Sequence, residues 1–315
     1  MLTEYNCFIK LLGDTLETKG RILKGVGGLY TVLLTDGETV NCRARGALRH
    51  EGEKPLTGDY VTLTHDGEYS IYEIIDRRNS LIRPPLANLD VLFTVVAAAK
   101  PAPVITTLDK LISIGEHNAI EPVVIITKAD IDPENSANLA ETYKRCGFDA
   151  FVTENGTAPA DLTKYLEEKC DGCTCAFAGN SGVGKSTLIN SLFPDLQLET
   201  GGISRKIERG KHTTRVVELY GVKCGEAELF IADTPGFSML DFTRFDFFTK
   251  DELKFTFREF APYLDKCRYA DCTHTREGAA ECSVAQAVKD GIIPQSRHES
   301  FLSMWDDLKD KPDWK

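Results

Sequence analysis

The residues Gly179-Asn180-Ser181-Gly182-Val183-Gly184-Lys185-Ser186 fit the pattern G-x-x-x-x-G-K-[ST] without a gap. Set between a strand and a helix, such a run wraps backbone N–H groups around phosphate oxygens. A second pattern, [NT]-K-x-D, reads the guanine base in many proteins with this loop and ordinarily follows it in the chain. Here its match, Thr127-Lys128-Ala129-Asp130, comes first. Either the second match is accidental, or the strands of the domain are wired in a rotated order. The order of the two motifs restricts the topology more than either motif alone.

The surrounding pattern supports a sheet. Residues 91–96 and 123–126 are apolar throughout, as expected of parallel strands buried on both faces. Thr106 to Asp109 resembles a capping box opening a helix through Ile114. Asp132-Pro133 reads as an N-cap with proline at the first helical position, and Gly147 is placed to end that helix. Further strands are predicted at 148–152, 173–178, 216–220 and 228–232, with helices at 161–169 and 185–192. This alternation is that of a doubly wound α/β domain.

The first eighty residues differ. Strand-like runs at 21–24, 29–34, 39–44, 60–64 and 68–75 are punctuated by Asp36-Gly37 and Asp66-Gly67, both strong hairpin signals. Five short strands in this length predict a small barrel, with the OB-fold as the common nucleic-acid-binding version. Residues 41–50 carry Arg43, Arg45, Arg49 and His50 without an acid, and Arg77, Arg78 and Arg83 follow at the exit. They form either an RNA-binding face or an ordinary solvated surface.

The expected chemistry centres on phosphate. Gly179, Gly182 and Gly184 free the backbone around Asn180, Ser181 and Val183 to cradle it. Lys185 is placed to reach the β- and γ-phosphates, Ser186 to ligate Mg²⁺, and Thr187 continues the first helical turn. Asp233-Thr234-Pro235-Gly236 follows an apolar strand, where a carboxylate approaches Mg²⁺ and the Gly236 N–H meets the γ-phosphate. Asp130 can accept from both guanine N1–H and N2–H₂, whereas adenine would leave it unpaired. Lys128 is expected along the base plane. Thr127 stands where many GTPases have Asn, which predicts weaker ties to the phosphate loop. Residues 153–157 are a second base-loop candidate but lack the usual Ser-Ala pair.

With these motifs in hand, the chain resembles the RsgA (YjeQ) family, circularly permuted GTPases of small ribosomal subunit assembly. The resemblance implies an OB-fold RNA-binding domain (1–82), a permuted GTPase domain (83–242) and a helical zinc-binding domain (243–315). It implies GTP as substrate, Mg²⁺, one Zn²⁺ per chain, and the 30S subunit with its 16S rRNA as partner. The segment 209–215 resembles the family's switch I, with Thr213 or Thr214 as the threonine that senses Mg²⁺ and the γ-phosphate. Cys267, Cys272, His274 and Cys282 form a C-x₄-C-x-H-x₇-C array suited to a structural zinc site, the alternative being free thiols and a surface histidine. Cys173 and Cys175 fall on a buried strand and read as packing.

Phe237 occupies the place of the water-orienting Gln in Ras-like enzymes, predicting slow intrinsic hydrolysis that a partner stimulates. His212 is the nearest candidate for that water. Other classes stay open, namely an ATP-using phosphate-loop enzyme or an RNA-binding module with a vestigial nucleotide site. A net charge of −11 confines any RNA contact to a local basic patch. The sequence opens with no signal peptide and holds no apolar run of membrane-spanning length, so a cytoplasmic protein with reduced cysteines is expected; a monomer is expected as well.

Overall fold

The computed structural model describes residues 16–46, 54–196, 216–233 and 247–309. They form two compact units, one of residues 16–46, 54–89, 216–220 and 232–233, the other of 90–196, 221–231 and 247–309.

In the first unit, strands β1 (Leu16–Val26), β2 (Leu29–Leu34), β3 (Thr39–Ala44), β4 (Tyr60–Asp66) and β5 (Glu68–Ile74) pair in the order β1-β2-β3-β5-β4. β4 returns to β1, from Leu16↔His65 to Arg21↔Tyr60, and closes the barrel. Only β3 and β5 run parallel. A register shift between Ile22 and Lys24 lets β1 bend from one partner to the other. Alternation turns Tyr30, Val32, Leu34, Val40, Cys42, Val61, Leu63 and Ile71 inward onto Ile22. Gly20 is required here, because a Cβ would sit 2.6 Å from Val32 Cγ1. This is the expected OB-like barrel, followed by a short ladder of β6 (Ser80–Leu81) and β7 (Leu86–Ala87).

The arginines of this unit divide by environment. Arg43 and Arg45 are exposed, with the Arg45 guanidinium 5.4 Å from the Tyr72 ring centre. Arg49 lies outside the described residues. Arg77 is not surface charge: it grips the fully buried Asp59 through Nε (2.7 Å) and Nη2 (2.8 Å) and donates to the Lys54 carbonyl. A buried carboxylate requires such a partner, so Arg77 belongs to the barrel.

The second unit is built on a sheet ordered β10-β9-β8-β11-β13-β12. The strands are β8 (Val91–Ala97), β9 (Glu121–Thr127), β10 (Ala150–Val152), β11 (Thr174–Ala178), β12 (Glu218–Cys224) and β13 (Ala227–Asp233). β8 pairs parallel with β9 and β11, and β9 with β10. Helices α1 (Ile105–His117) and α2 (Pro133–Arg145) cover one face, where Leu108, Ile112 and Tyr143 meet Val96, Val124 and Ile126. Helices α3 (Ala160–Lys169) and α4 (Lys185–Leu192) cover the other, where Leu162, Leu166 and Leu188 meet Phe93, Val95 and Phe177. Burial from both sides explains the unbroken apolar strands.

Two local expectations need correction. The Thr106–Asp109 capping box does not form: α1 starts at Ile105 after Val104, which makes no side-chain cap. Asp109 instead is fully buried and bonded to Arg297 and Tyr143. Strand β12 begins at Glu218, not 216, since the Val217 carbonyl already accepts from Thr57 Oγ1. The α2 signals hold, with Asp132 accepting from the Asn135 N–H and Gly147 at φ +86 after the last turn.

Residues 247–309 contribute 3₁₀ turns at Leu253–Thr256 and Arg258–Lys266 and helices α5 (Ser283–Lys289) and α6 (Gln295–Lys309). Phe257, Phe260 and Phe301 pack as their core, Phe301 meeting the other two rings edge-on. Arg258 bonds Glu116, Glu121 and the Gly147 carbonyl, and Lys110 pairs with Asp307 at 2.7 Å.

Candidate functional site

The phosphate loop leaves β11 and enters α4. Gly179 takes φ +149, and a Cβ there would lie 2.1 Å from the Val95 carbonyl oxygen, so only glycine fits. Gly182 (φ +78) and Gly184 (φ +100) turn the chain into the helix. Val183 points into the core below the loop. The Lys185 ammonium folds over the loop and donates to the Gly179 (2.7 Å) and Asn180 (2.8 Å) carbonyls. Partial burial lowers its pKa, a bias that an incoming phosphate would reverse. Ser186 and Thr187 stand in the first turn of α4, and Ser181 is exposed.

The Thr127–Asp130 segment is brought against this loop. Thr127 Oγ1 donates to the Val183 carbonyl at 2.5 Å. A threonine in the place of Asn thus still ties the base-reading segment to the phosphate loop, through one hydroxyl. Lys128, at φ +60, donates to the Gly182 carbonyl at 2.7 Å and to the Lys100 carbonyl. Asp130 is exposed, and its Oδ1 accepts from the Asn155 N–H at 2.9 Å. The second base loop thus meets the first through backbone, with Asn155 (φ +51) and Gly156 (φ +72) forming the turn. A Cβ on Gly156 would lie 2.5 Å from Thr187 Cγ2, so this loop also abuts α4. Ser191 Oγ accepts from the Ala158 N–H at 3.0 Å. Sequence reasoning missed Lys100 and Ser191, which belong to no motif and contribute generic hydrogen-bonding groups.

Asp233 is the last residue of β13. Burial first, then the Glu218 charge, raises its carboxyl pKa. His212, Thr213, Thr214 and Gly236 lie outside the described residues.

A separate cluster occupies the 267–282 region. The ligand atoms of Cys267, Cys272, His274 and Cys282 all lie within 4.8 Å of one another. His274 Nδ1 is 3.5, 3.5 and 3.4 Å from the sulfurs of Cys267, Cys272 and Cys282. His274 takes φ +59 to reach inward, and its carbonyl accepts from His298 Nε2 at 2.9 Å. Three thiols and one imidazole converging this closely are a fitting donor set for one metal ion. Among the described residues no other such group occurs. Cys170 and Cys175 are fully buried in the core beside α3, and the neighbouring Cys173 packs against that core, consistent with packing.

A phosphate cradle cross-braced to a Thr-Lys-x-Asp loop, on a doubly wound sheet whose base-side strands come first in the chain, defines a P-loop GTPase in permuted order. The RsgA GTPase family model matches residues 74–243, and the RsgA N-terminal domain model matches residues 19–70. The chain is 40% identical to the small ribosomal subunit biogenesis GTPase RsgA of Caldanaerobacter subterraneus subsp. tengcongensis, over 93% of this chain and 96% of that protein. The protein of that name from Bacillus subtilis is 37% identical over 93% of this chain and 98% of its own length. Among solved structures, YjeQ from Thermotoga maritima superposes with a TM-score of 0.77 at 29% identity, covering 94% of this chain and all of that one. YloQ, described as a circularly permuted GTPase, gives 0.74 at 32% identity over 95% and 97% of the two chains. The chain belongs to the RsgA family and is a GTP hydrolase, and membership implies use of GTP and Mg²⁺.

Proposed function

We propose that this GTPase binds the small ribosomal subunit and acts late in its assembly, with slow intrinsic hydrolysis that the subunit accelerates. The observation that carries this reading is the bonding of Thr127 and Lys128 to the phosphate loop, with Asp130 beside them bonded to the 153–157 loop. It supports guanine specificity in a chain whose relatives are named for small-subunit biogenesis. Asp130 reads the guanine edge, Lys128 flanks the base, and residues 179–187 hold the phosphates, with Lys185 countering the charge that grows on them. The Ser186 hydroxyl, Asp233, and Thr213 or Thr214 are the groups that would hold Mg²⁺, which would supply positive charge against the phosphates. Phe237 offers no hydrogen bond to water, and His212 is the candidate that positions it once the partner orders the site.

The three-part division at 1–82, 83–242 and 243–315 belongs to the same reading. The barrel, with exposed Arg43 and Arg45 and with Arg49, faces 16S rRNA. The C-terminal segment carries one Zn²⁺ on Cys267, Cys272, His274 and Cys282. The donor set supports zinc, since thiolates and imidazole in a closed four-ligand group suit that ion. Among the described residues no helix is long and apolar enough to cross a membrane. We read the protein as a cytoplasmic monomer.

The deciding experiment is GTP turnover titrated with purified 30S subunits. The expected result is a saturable rise in rate. An unchanged rate overturns the ribosome-coupled reading.

A further inference from the structure

Helices α1 and α2 both begin at the base-reading corner. α2 starts three residues after Asp130, and the 98–104 segment that enters α1 supplies the Lys100 carbonyl bonded by Lys128. The start of α2 is tied to the end of β8, from which the 98–104 segment departs: Asn135 Nδ2 donates to the Ala98 carbonyl at 2.8 Å, and the Ala98 N–H donates to the Thr127 carbonyl. Further along, Tyr143 OH on α2 donates to Asp109 Oδ1 on α1 at 2.8 Å. The helices are therefore pinned to each other at Tyr143–Asp109, and α2 is pinned to the end of β8; the 98–104 segment holds Lys128 through the Lys100 carbonyl, and Asp130 stands three residues before α2.

A third tie comes from the far end of the chain. Arg297, on α6, is fully buried and meets fully buried Asp109 through Nη1. Its Nε donates to Glu259 Oε1 at 2.6 Å, and its guanidinium lies 4.5 Å from the Phe257 ring centre and 5.7 Å from that of Tyr143. Buried ion networks seldom add much stability over apolar packing, but removing or misplacing one member leaves an uncompensated buried charge, which penalises other arrangements of the elements that meet in them. Asp109 lies about 6 Å along α1 from its start, close enough that a shift there moves the 98–104 segment.

We infer that Arg297, acting through Asp109 and Tyr143, is a positioning residue for guanine recognition, so that the C-terminal segment sets how sharply the site reads the base. This rests on the reading of Asp130 as the guanine contact.

The test is the ratio Kd(IDP)/Kd(GDP), because inosine lacks the 2-amino group that Asp130 is assigned to bind. The full chain is compared with Tyr143→Phe, which deletes one hydroxyl, and with Arg297→Lys, which keeps the charge and loses the fork. Each is checked for folding by thermal unfolding. The parent ratio is expected at about tenfold or more, the worth of one hydrogen bond to a carboxylate. The variants are expected to lower it by about threefold or more, a typical coupling between sites. Destabilisation of a protein that remains folded leaves this ratio unchanged. A parent that discriminates, with folded variants that discriminate equally, overturns the inference. A parent that fails to discriminate removes the Asp130 assignment and the inference with it, and the parent measurement alone identifies that case. Should Arg297→Lys not fold, Tyr143→Phe decides.

Discussion

Thr127 Oγ1 donates to the Val183 carbonyl at 2.5 Å, joining the end of β9 to the phosphate loop across 56 residues of chain. Both residues are nearly fully buried, so the carbonyl has no water to fall back on. Thr127→Val keeps the shape and removes the donor, leaving a buried acceptor unsatisfied at a cost of about 1–3 kcal/mol. Because the loop is ordered for nucleotide by this bond, GDP affinity is expected to fall about tenfold. Titration with a fluorescent GDP analogue checks it, and an unchanged Kd would show that the loop holds its shape without the tie.

Gly179→Ala tests the phosphate loop at its tightest point. The new methyl group would stand 2.1 Å from the Val95 carbonyl oxygen, a backbone atom that cannot turn aside, at a φ of +149. Strain and displacement together should cost about 2–4 kcal/mol. The expected result is a lower Tm and loss of measurable nucleotide binding. Binding at the parental level would mean that β8 can yield at Val95.

How much of this was legible in sequence depended on how far apart the interacting groups lie. The Asp132-Pro133 start of α2, the strand into the phosphate loop and the Asp-Gly turns are set by neighbours within a few residues, and they appear as expected. The cysteine and histidine array was also readable, since ligand identity survives any path the chain takes. Asp109 was misread because its partner, Arg297, lies 188 residues away, and a local capping pattern offered a nearer explanation. Arg77 was grouped with surface charge for the same reason, its fork being matched to buried Asp59. The role of the 153–157 loop stayed open because its contact with Asp130 is a backbone N–H, which carries no residue signature.

The Cys267–Cys282 cluster predicts a metal content. Purified chain is expected to carry one zinc ion, measured by atomic emission. Cys282→Ser should reduce that well below one, because a neutral hydroxyl is a poor substitute for a buried thiolate. Chelation of the parent should lower Tm by roughly 5–10 °C, since ion binding stabilises only the folded arrangement of the four ligands. A parent that is metal-free yet equally stable would leave the cluster as packed thiols.

Asp130→Asn tests the base assignment by exchanging the nucleotide preference. In the parent, Asp130 Oδ1 accepts from the Asn155 N–H, and the carboxylate as a whole remains exposed to a ligand. In the variant, that same N–H holds the amide oxygen, which turns the amide NH₂ toward the ligand. Guanine would then present its own N2–H₂ to a donor, whereas xanthine presents a carbonyl oxygen at that position. Loss of two hydrogen bonds to a charged group corresponds to about 3–5 kcal/mol, or roughly a hundredfold to several-thousandfold weaker GTP binding. Xanthosine triphosphate should bind the variant better than GTP does and support its turnover. Equal weakening toward both nucleotides, in a variant with parental Tm, would place base recognition on some group other than Asp130.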